Sequence, residues 1–189
     1  MDFKLYHYGM EDFDDTGFGC SYRNIQTLLS AYKKYYDFSI NIPNIRELLE
    51  YFNPDYLNKT KQKDLWIEPY HVSQYLFQNF NIDFVNTLYV TKDEDINKIL
   101  KTDVNVYLLN KTYHKNNFTE LLNLFHKHFL KSKLPIIIDN GIYSYCIKNI
   151  GDKVTLIDPH TKSSDGLLKI KDLSFLKSTF FMIYLPINY

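Results

Sequence analysis

Residues 135–160 read PIIIDNGIYSYCIKNIGDKVTLIDPH, and this stretch decides the fold. Three runs rich in β-branched and aromatic residues follow Pro135: Ile136 to Asp139, Tyr143 to Ile150 and Lys153 to Asp158. Runs of this kind broken by Gly, Asn and Asp are strands, and Ile150-Gly151-Asp152 reads as a hairpin turn. Two further strands are expected near Leu167 to Ile170 and Phe180 to Leu185. The C-terminal part therefore reads as an antiparallel sheet.

Toward the N-terminus the apolar period changes from two to three and four. Phe118, Leu121, Leu122, Phe125 and Phe129 mark a helix over 117–132, and Val72, Tyr75, Leu76 and Phe80 mark one over 68–80. Leu48, Leu49 and Phe52 follow Asn44 and Glu47, which are spaced as a capping box. Ile25, Leu28, Leu29 and Tyr32 make residues 20–36 an amphipathic helix. Between these elements, 81–90 and 103–109 read as extended and 93–101 as a short helix. Helices first and an antiparallel sheet last is the layout of an α+β domain. No repeat or linker divides the chain, so residues 1–189 are expected to form one domain.

Composition narrows the function. The 22 basic side chains balance 22 acidic ones, which leaves no net field to gather nucleic acid or anionic lipid. No apolar run has the length or flanks of a signal peptide or membrane span. The two cysteines, Cys20 and Cys146, lie 126 positions apart and are expected to be reduced thiols in the cytoplasm. The glycosylation patterns at Asn58, Asn110 and Asn117 are then chance matches in an asparagine-rich chain.

Two short motifs carry chemistry. Asp15-Thr16-Gly17-Phe18-Gly19-Cys20-Ser21-Tyr22-Arg23 puts Cys20 at the start of a helix, where the dipole favours a thiolate, and Asp158-Pro159-His160 brings a carboxylate and an imidazole together. A thiol, a base and a group that orients the base are the parts of a cysteine hydrolase. Cys20 is accordingly expected to titrate below an ordinary thiol. On an extended strand, Asp158 and His160 would project to one face. Gly17 and Gly19 leave room for a peptide backbone near the sulfur. Candidate oxyanion donors are the Cys20 amide and the side chains of Tyr6, His7 and Tyr8.

Other residues carry plainer readings. Cys146, between Tyr145 and Ile147, reads as a buried small hydrophobe. His71, His114, His126 and His128 lack companions at metal-ligand spacing, so no metal or cofactor is expected. Gly17-Phe18-Gly19 lacks the preceding strand and following lysine of a phosphate-binding loop.

The segment from Tyr6-His7-Tyr8 through Thr27, with Leu156-Ile157-Asp158-Pro159-His160, resembles the ubiquitin-fold modifier 1-specific cysteine proteases. Their motifs run Asp-X-Gly-Trp-Gly-Cys-X-Tyr-Arg-X-X-Gln-Thr and Leu-Asp-Pro-His. Trp66-Ile67, Leu134 to Ile138 and Phe181 to Pro186 are smaller echoes. The resemblance implies a papain-like α+β fold with Cys20 as nucleophile, His160 as general base and acid, and Asp158 as its orienter. It also implies Tyr8, twelve positions before the cysteine, as oxyanion donor, and a substrate channel at Gly17, Phe18, Gly19 and Gly141. The implied substrate is the C-terminal glycine of ubiquitin-fold modifier 1, in its precursor or joined to lysines of other proteins. This chain departs from the family pattern at Phe18 for tryptophan, at Asp139-Asn140-Gly141 for a glycine run, and at Thr161 for tyrosine. The autophagy-related cysteine proteases share Gly-Trp-Gly-Cys and Asp-Pro-His-Thr, but Tyr8, Tyr22 and Thr27 fit the first family. An inactive modifier-binding homologue is the remaining alternative.

Overall fold

The computed structural model describes residues 2–59, 61–90, 112–115, 117–177 and 181–187. Helices α1 (Cys20–Tyr35), α2 (Ile45–Phe52) and α3 (Pro69–Phe80) come first. Strands β1 (Phe84–Val90) and β2 (Thr112–Lys115) follow, then α4 (Phe118–Lys131). The chain closes with β3 (Ile136–Asp139), β4 (Ser144–Ile150), β5 (Lys153–Ile157), β6 (Leu168–Asp172) and β7 (Phe181–Pro186). The expected helix at 93–101 and strand at 103–109 lie outside the described residues.

The seven strands form one sheet in the order β2-β1-β7-β3-β4-β5-β6. The C-terminal strands β3 to β7 pair antiparallel as expected, and β1 joins β7 antiparallel but β2 in parallel at the far edge. Alternation along the strands divides the core. Ile137, Cys146, Ile157 and Tyr184 pack toward α1, α2 and α3. Ile136, Ile138, Ile147, Leu156 and Ile183 pack with Leu121 and Phe125 of α4 on the other face. A sheet covered on both faces explains why β3 reads as an uninterrupted apolar run.

The capping box is present: Asn44 Oδ1 accepts from Glu47 N at 3.0 Å, and Glu47 Oε2 accepts from Asn44 N at 2.7 Å. Caps of this kind stabilise a helix start by about 1 kcal/mol.

Helix α1 is not amphipathic in the usual sense, because Cys20 through Ala31 are all buried. Its polar side is covered by the N-terminal arm, whose backbone supplies the partners that buried hydroxyls require. Lys4 N donates to Ser30 Oγ at 2.8 Å and Tyr6 N to Thr27 Oγ1 at 3.1 Å. The arm therefore runs alongside α1 and delivers Tyr8 beside the first turn of the helix. Strand register sets the other wall of the site. Asp139 pairs with Ser144, and Cys146 pairs with Ile157, so the end of β3, the start of β4 and the exit of β5 share one end of the sheet.

Candidate active site

Cys20 is the first residue of α1 and is 1% exposed. The chain before it is held by Asp15, whose carbonyl accepts from Gly19 N at 2.8 Å and Phe18 N at 3.2 Å. Three donors meet the Cys20 sulfur: the amides of Ser144 and Ser21 and the hydroxyl of Tyr8. The expectation of a depressed thiol is nevertheless overturned. Burial outweighs these donors and pushes Cys20 up to about 11. Removal of the sulfur from water is the largest influence on it, and the nearby Asp139 adds to the rise. The thiol rests neutral.

His160 is held by the carboxylate two residues before it. Its Nδ1 lies 2.6 Å from Asp158 Oδ1, which also accepts from His160 N at 3.0 Å. The two side chains meet through this tight turn, because β5 ends at Ile157 and residues 158–160 are not a strand. Asp158 makes a second ion pair, with Lys169 Nζ at 2.5 Å from Oδ2. Burial raises the Asp158 pKa, but His160 and Lys169 outweigh it and hold the carboxyl well below the usual range. The ionised carboxylate is an acceptor facing Nδ1, which places the ring proton on that nitrogen.

Three tyrosine rings lie around the imidazole: Tyr8 at 5.4 Å, Tyr143 at 5.1 Å and Tyr145 at 5.2 Å between centroids. They limit rotation of the ring about its χ angles. His160 Nε2 is left buried without a hydrogen-bond partner among the described residues. An orphaned buried nitrogen costs about 1–3 kcal/mol, a cost that makes sense for a nitrogen kept free for proton transfer.

Tyr8 joins the two halves. Its hydroxyl donates to Cys20 Sγ while its oxygen accepts from the Cys20 amide. Its own amide donates to Pro159 O at 3.0 Å, so the arm is tied to the turn that carries His160. Burial pushes the phenol well above its ordinary value, which keeps it a neutral donor. Two of the candidate oxyanion donors, the Cys20 amide and the Tyr8 hydroxyl, are thus already bonded to each other. The others point away: the His7 ring meets Tyr8 O through Nδ1 at 2.8 Å, and Tyr6 is buried beside α1.

The expected channel residues separate. Gly17, at φ 91°, and Gly141, at φ 83°, are exposed and take backbone conformations that L side chains rarely adopt. Phe18 is 3% exposed and packs edge-on against Phe13 and Tyr22, as a core residue. At Gly19 a Cβ would fall 2.1 Å from Asp15 Oδ2, so this glycine makes room for the buried Asp15 side chain.

Ser144, Lys169, Tyr143 and Tyr145 were not singled out from the sequence. Lys169 reaches Asp158 only because the β5–β6 register sets Leu156 opposite Lys169. The tyrosines offered one signal, an aromatic i, i+2 pair at the mouth of a predicted strand. Among the described residues no group of three or more His, Cys, Asp or Glu side chains could hold a metal ion, and no helix is long and apolar enough to cross a membrane.

Known proteins share this arrangement of chain. The crystal structure of UfSP from C. elegans superimposes with a TM-score of 0.67 over 99% of this chain and 33% of that one, at 20% identity, and shows the same papain-like α+β fold. A probable Ufm1-specific protease of Oryza sativa subsp. japonica is 26% identical over 97% of this chain. The probable Ufm1-specific protease 2 of Drosophila melanogaster is 24% identical over 90% of it. The chain spans 29% and 26% of the lengths of these two relatives. A model of Peptidase family C78 matches residues 1–174, a span that takes in the Tyr8 arm, the Cys20 helix and the Asp158-Pro159-His160 turn together, and the chain belongs to that family.

Proposed function

We propose that this chain is a cysteine peptidase that cuts after the C-terminal glycine of ubiquitin-fold modifier 1, in its precursor or on lysines of conjugated proteins. The observation that carries the reading is Tyr8, bonded at once to the nucleophile and, through its amide, to the turn bearing the base. Residues 1–189 act as one domain in it, and two unpaired cysteines suit the reducing cytoplasm.

The chemistry follows from the atoms. His160 Nε2 takes the Cys20 proton as Asp158 steadies Nδ1–H, and the sulfur attacks the glycine carbonyl carbon. Negative charge then develops on the carbonyl oxygen, where the Tyr8 hydroxyl and Cys20 amide can turn from each other to meet it. His160 returns the proton to the leaving amine, and the C–N bond breaks to give a thioester. Water, activated by Nε2, attacks the thioester, the C–S bond breaks, and the modifier leaves with a free glycine carboxylate. Exposed Gly17 and Gly141 would border the approach of a tail too narrow to carry side chains.

The reading is tested with the modifier bearing an electrophile in place of its terminal carboxylate. The expected product is one covalent adduct per chain, mapped by mass spectrometry to Cys20 and never to Cys146. Binding without an adduct would favour an inactive homologue, and an adduct formed only with an autophagy modifier would reassign the substrate.

Tyr8→Phe keeps the ring against His160 and removes only the hydroxyl. It is expected to lower kcat for tail release by about 10²–10³-fold with KM little changed, as for loss of one oxyanion donor. A change in KM alone would place Tyr8 in substrate binding instead.

A further inference from the structure

The hydrogen bonds beneath the Cys20 sulfur run through an acid that the chemistry above does not use. Asp139, the last residue of β3, is 1% exposed and sits opposite Ser144 in the β3–β4 ladder. Its Oδ1 accepts from Gly141 N at 2.6 Å, and its carboxyl also takes a hydrogen bond from the Ser144 side chain. Its Oδ2 is buried without a partner among the described residues. Ser144 donates its amide to the Cys20 sulfur and accepts at Oγ from Asn24 Nδ2 at 2.9 Å. One serine therefore connects the carboxyl to the nucleophile.

The charged and titratable groups facing Asp139 are Glu68 before α3, Cys20 on α1, Tyr145 on β4 and Tyr184 on β7. None of these is a cation. Burial, with Glu68 adding to it, pushes the Asp139 carboxyl up to about 7, so the neutral acid prevails below neutrality and the carboxylate above.

We propose that Asp139 is a positioning residue for the nucleophile: as the neutral acid it holds the Gly141 turn and Ser144 so that the Ser144 amide meets the sulfur, and as the carboxylate it opposes the negative charge that Cys20 must acquire. The site closes down as pH rises through neutrality. This rests on the reading of Cys20 as nucleophile. The sign follows from the charges: a thiolate beside a carboxylate is disfavoured, and one beside a neutral acid is not.

The experiment compares the full chain with Asp139→Asn and Asp139→Ala across the range from acid to alkaline pH. It reads kcat/KM for tail release and, in parallel samples, the rate of Cys20 alkylation by iodoacetamide. An asparagine keeps the shape of the neutral acid, so D139N is expected to match the native chain within about twofold near pH 5.5 and to exceed it by about fivefold near pH 8 in both readouts. D139A, which loses the hold on the turn, is expected to be slower at every pH. Parallel pH profiles for D139N and the native chain would overturn the proposal, as would a folded D139N that is inactive throughout. D139A matching D139N would remove the positioning role. If instead Cys20→Ala still cleaves, or Cys20 alkylates no faster than Cys146 at any pH, the nucleophile assignment itself has failed, and the two failures are told apart.

Discussion

Cys20→Ala is expected to reduce tail release by about 10⁵-fold or more while leaving modifier binding intact, the largest effect of any single substitution in this chain. In the proposed reading the sulfur is the atom that bonds to substrate. Tyr8 donates to that position through its hydroxyl, and Ser144 and Ser21 through their backbone amides. The second thiol, Cys146, is fully buried, and its hydrogen bond to Asn24 Oδ1 at 3.3 Å holds it among core residues. Tail release followed by mass spectrometry, beside a binding measurement on the same sample, checks both halves. Residual cleavage above background would remove Cys20 from the chemistry. Lost binding would show that the sulfur shapes the site as well as reacting in it.

Arg23→Ala is expected to destabilise the protein by about 3–5 kcal/mol, the range for stranding a partner of a buried ion pair. The Arg23 side chain is fully buried. It donates to Asp15 through Nε at 2.7 Å and Nη2 at 3.1 Å, to Glu11 at 3.0 Å, to Gln26 at 2.9 Å and to the Met10 carbonyl at 2.9 Å. Asp15 in turn accepts from Gly9 N at 2.8 Å. Glu11, at a left-handed φ of 63°, is held there by Arg23, by Gln26 and by Ile45 N at 2.8 Å. Against a total stability of about 5–15 kcal/mol the loss is a large fraction, and urea unfolding measures it directly. Because this hub fixes residues 9–15, the folded fraction of the variant should also show lower kcat, as Tyr8 loses its anchor. Arg23→Lys should rescue little, since one ammonium cannot span both Asp15 oxygens and the Met10 carbonyl. A loss under about 1 kcal/mol would mean that water replaces these bonds.

Much of this was legible from side-chain spacing. The strands of the C-terminal part announced themselves through β-branched runs and turn residues, and their observed ends fall within two residues of the expected ones. The capping box at Asn44 and Glu47 was readable because its chemistry is local. Lys169 was not, since its pairing with Asp158 depends on a strand register that no local pattern encodes. The parallel pairing of Thr87 to Val90 with Thr112 to Lys115 escaped for the same reason. The Cys20 titration was misjudged because a sequence shows the start of a helix but not how completely the arm and β4 exclude water from it. Gly19 reads from the sequence as room for a peptide backbone near the sulfur, whereas its neighbour is the Asp15 side chain, whose burial with Arg23 no local pattern shows.

The bond from Tyr8 N to Pro159 O also bears on the order of events as the chain is made. The arm and Cys20 leave the ribosome ahead of the imidazole, which follows 140 positions after the cysteine. Closing so distant a pairing is late and entropically costly. In the proposed reading a nascent chain thus carries its thiol with neither base nor completed oxyanion cradle until the turn after β5 docks on the arm.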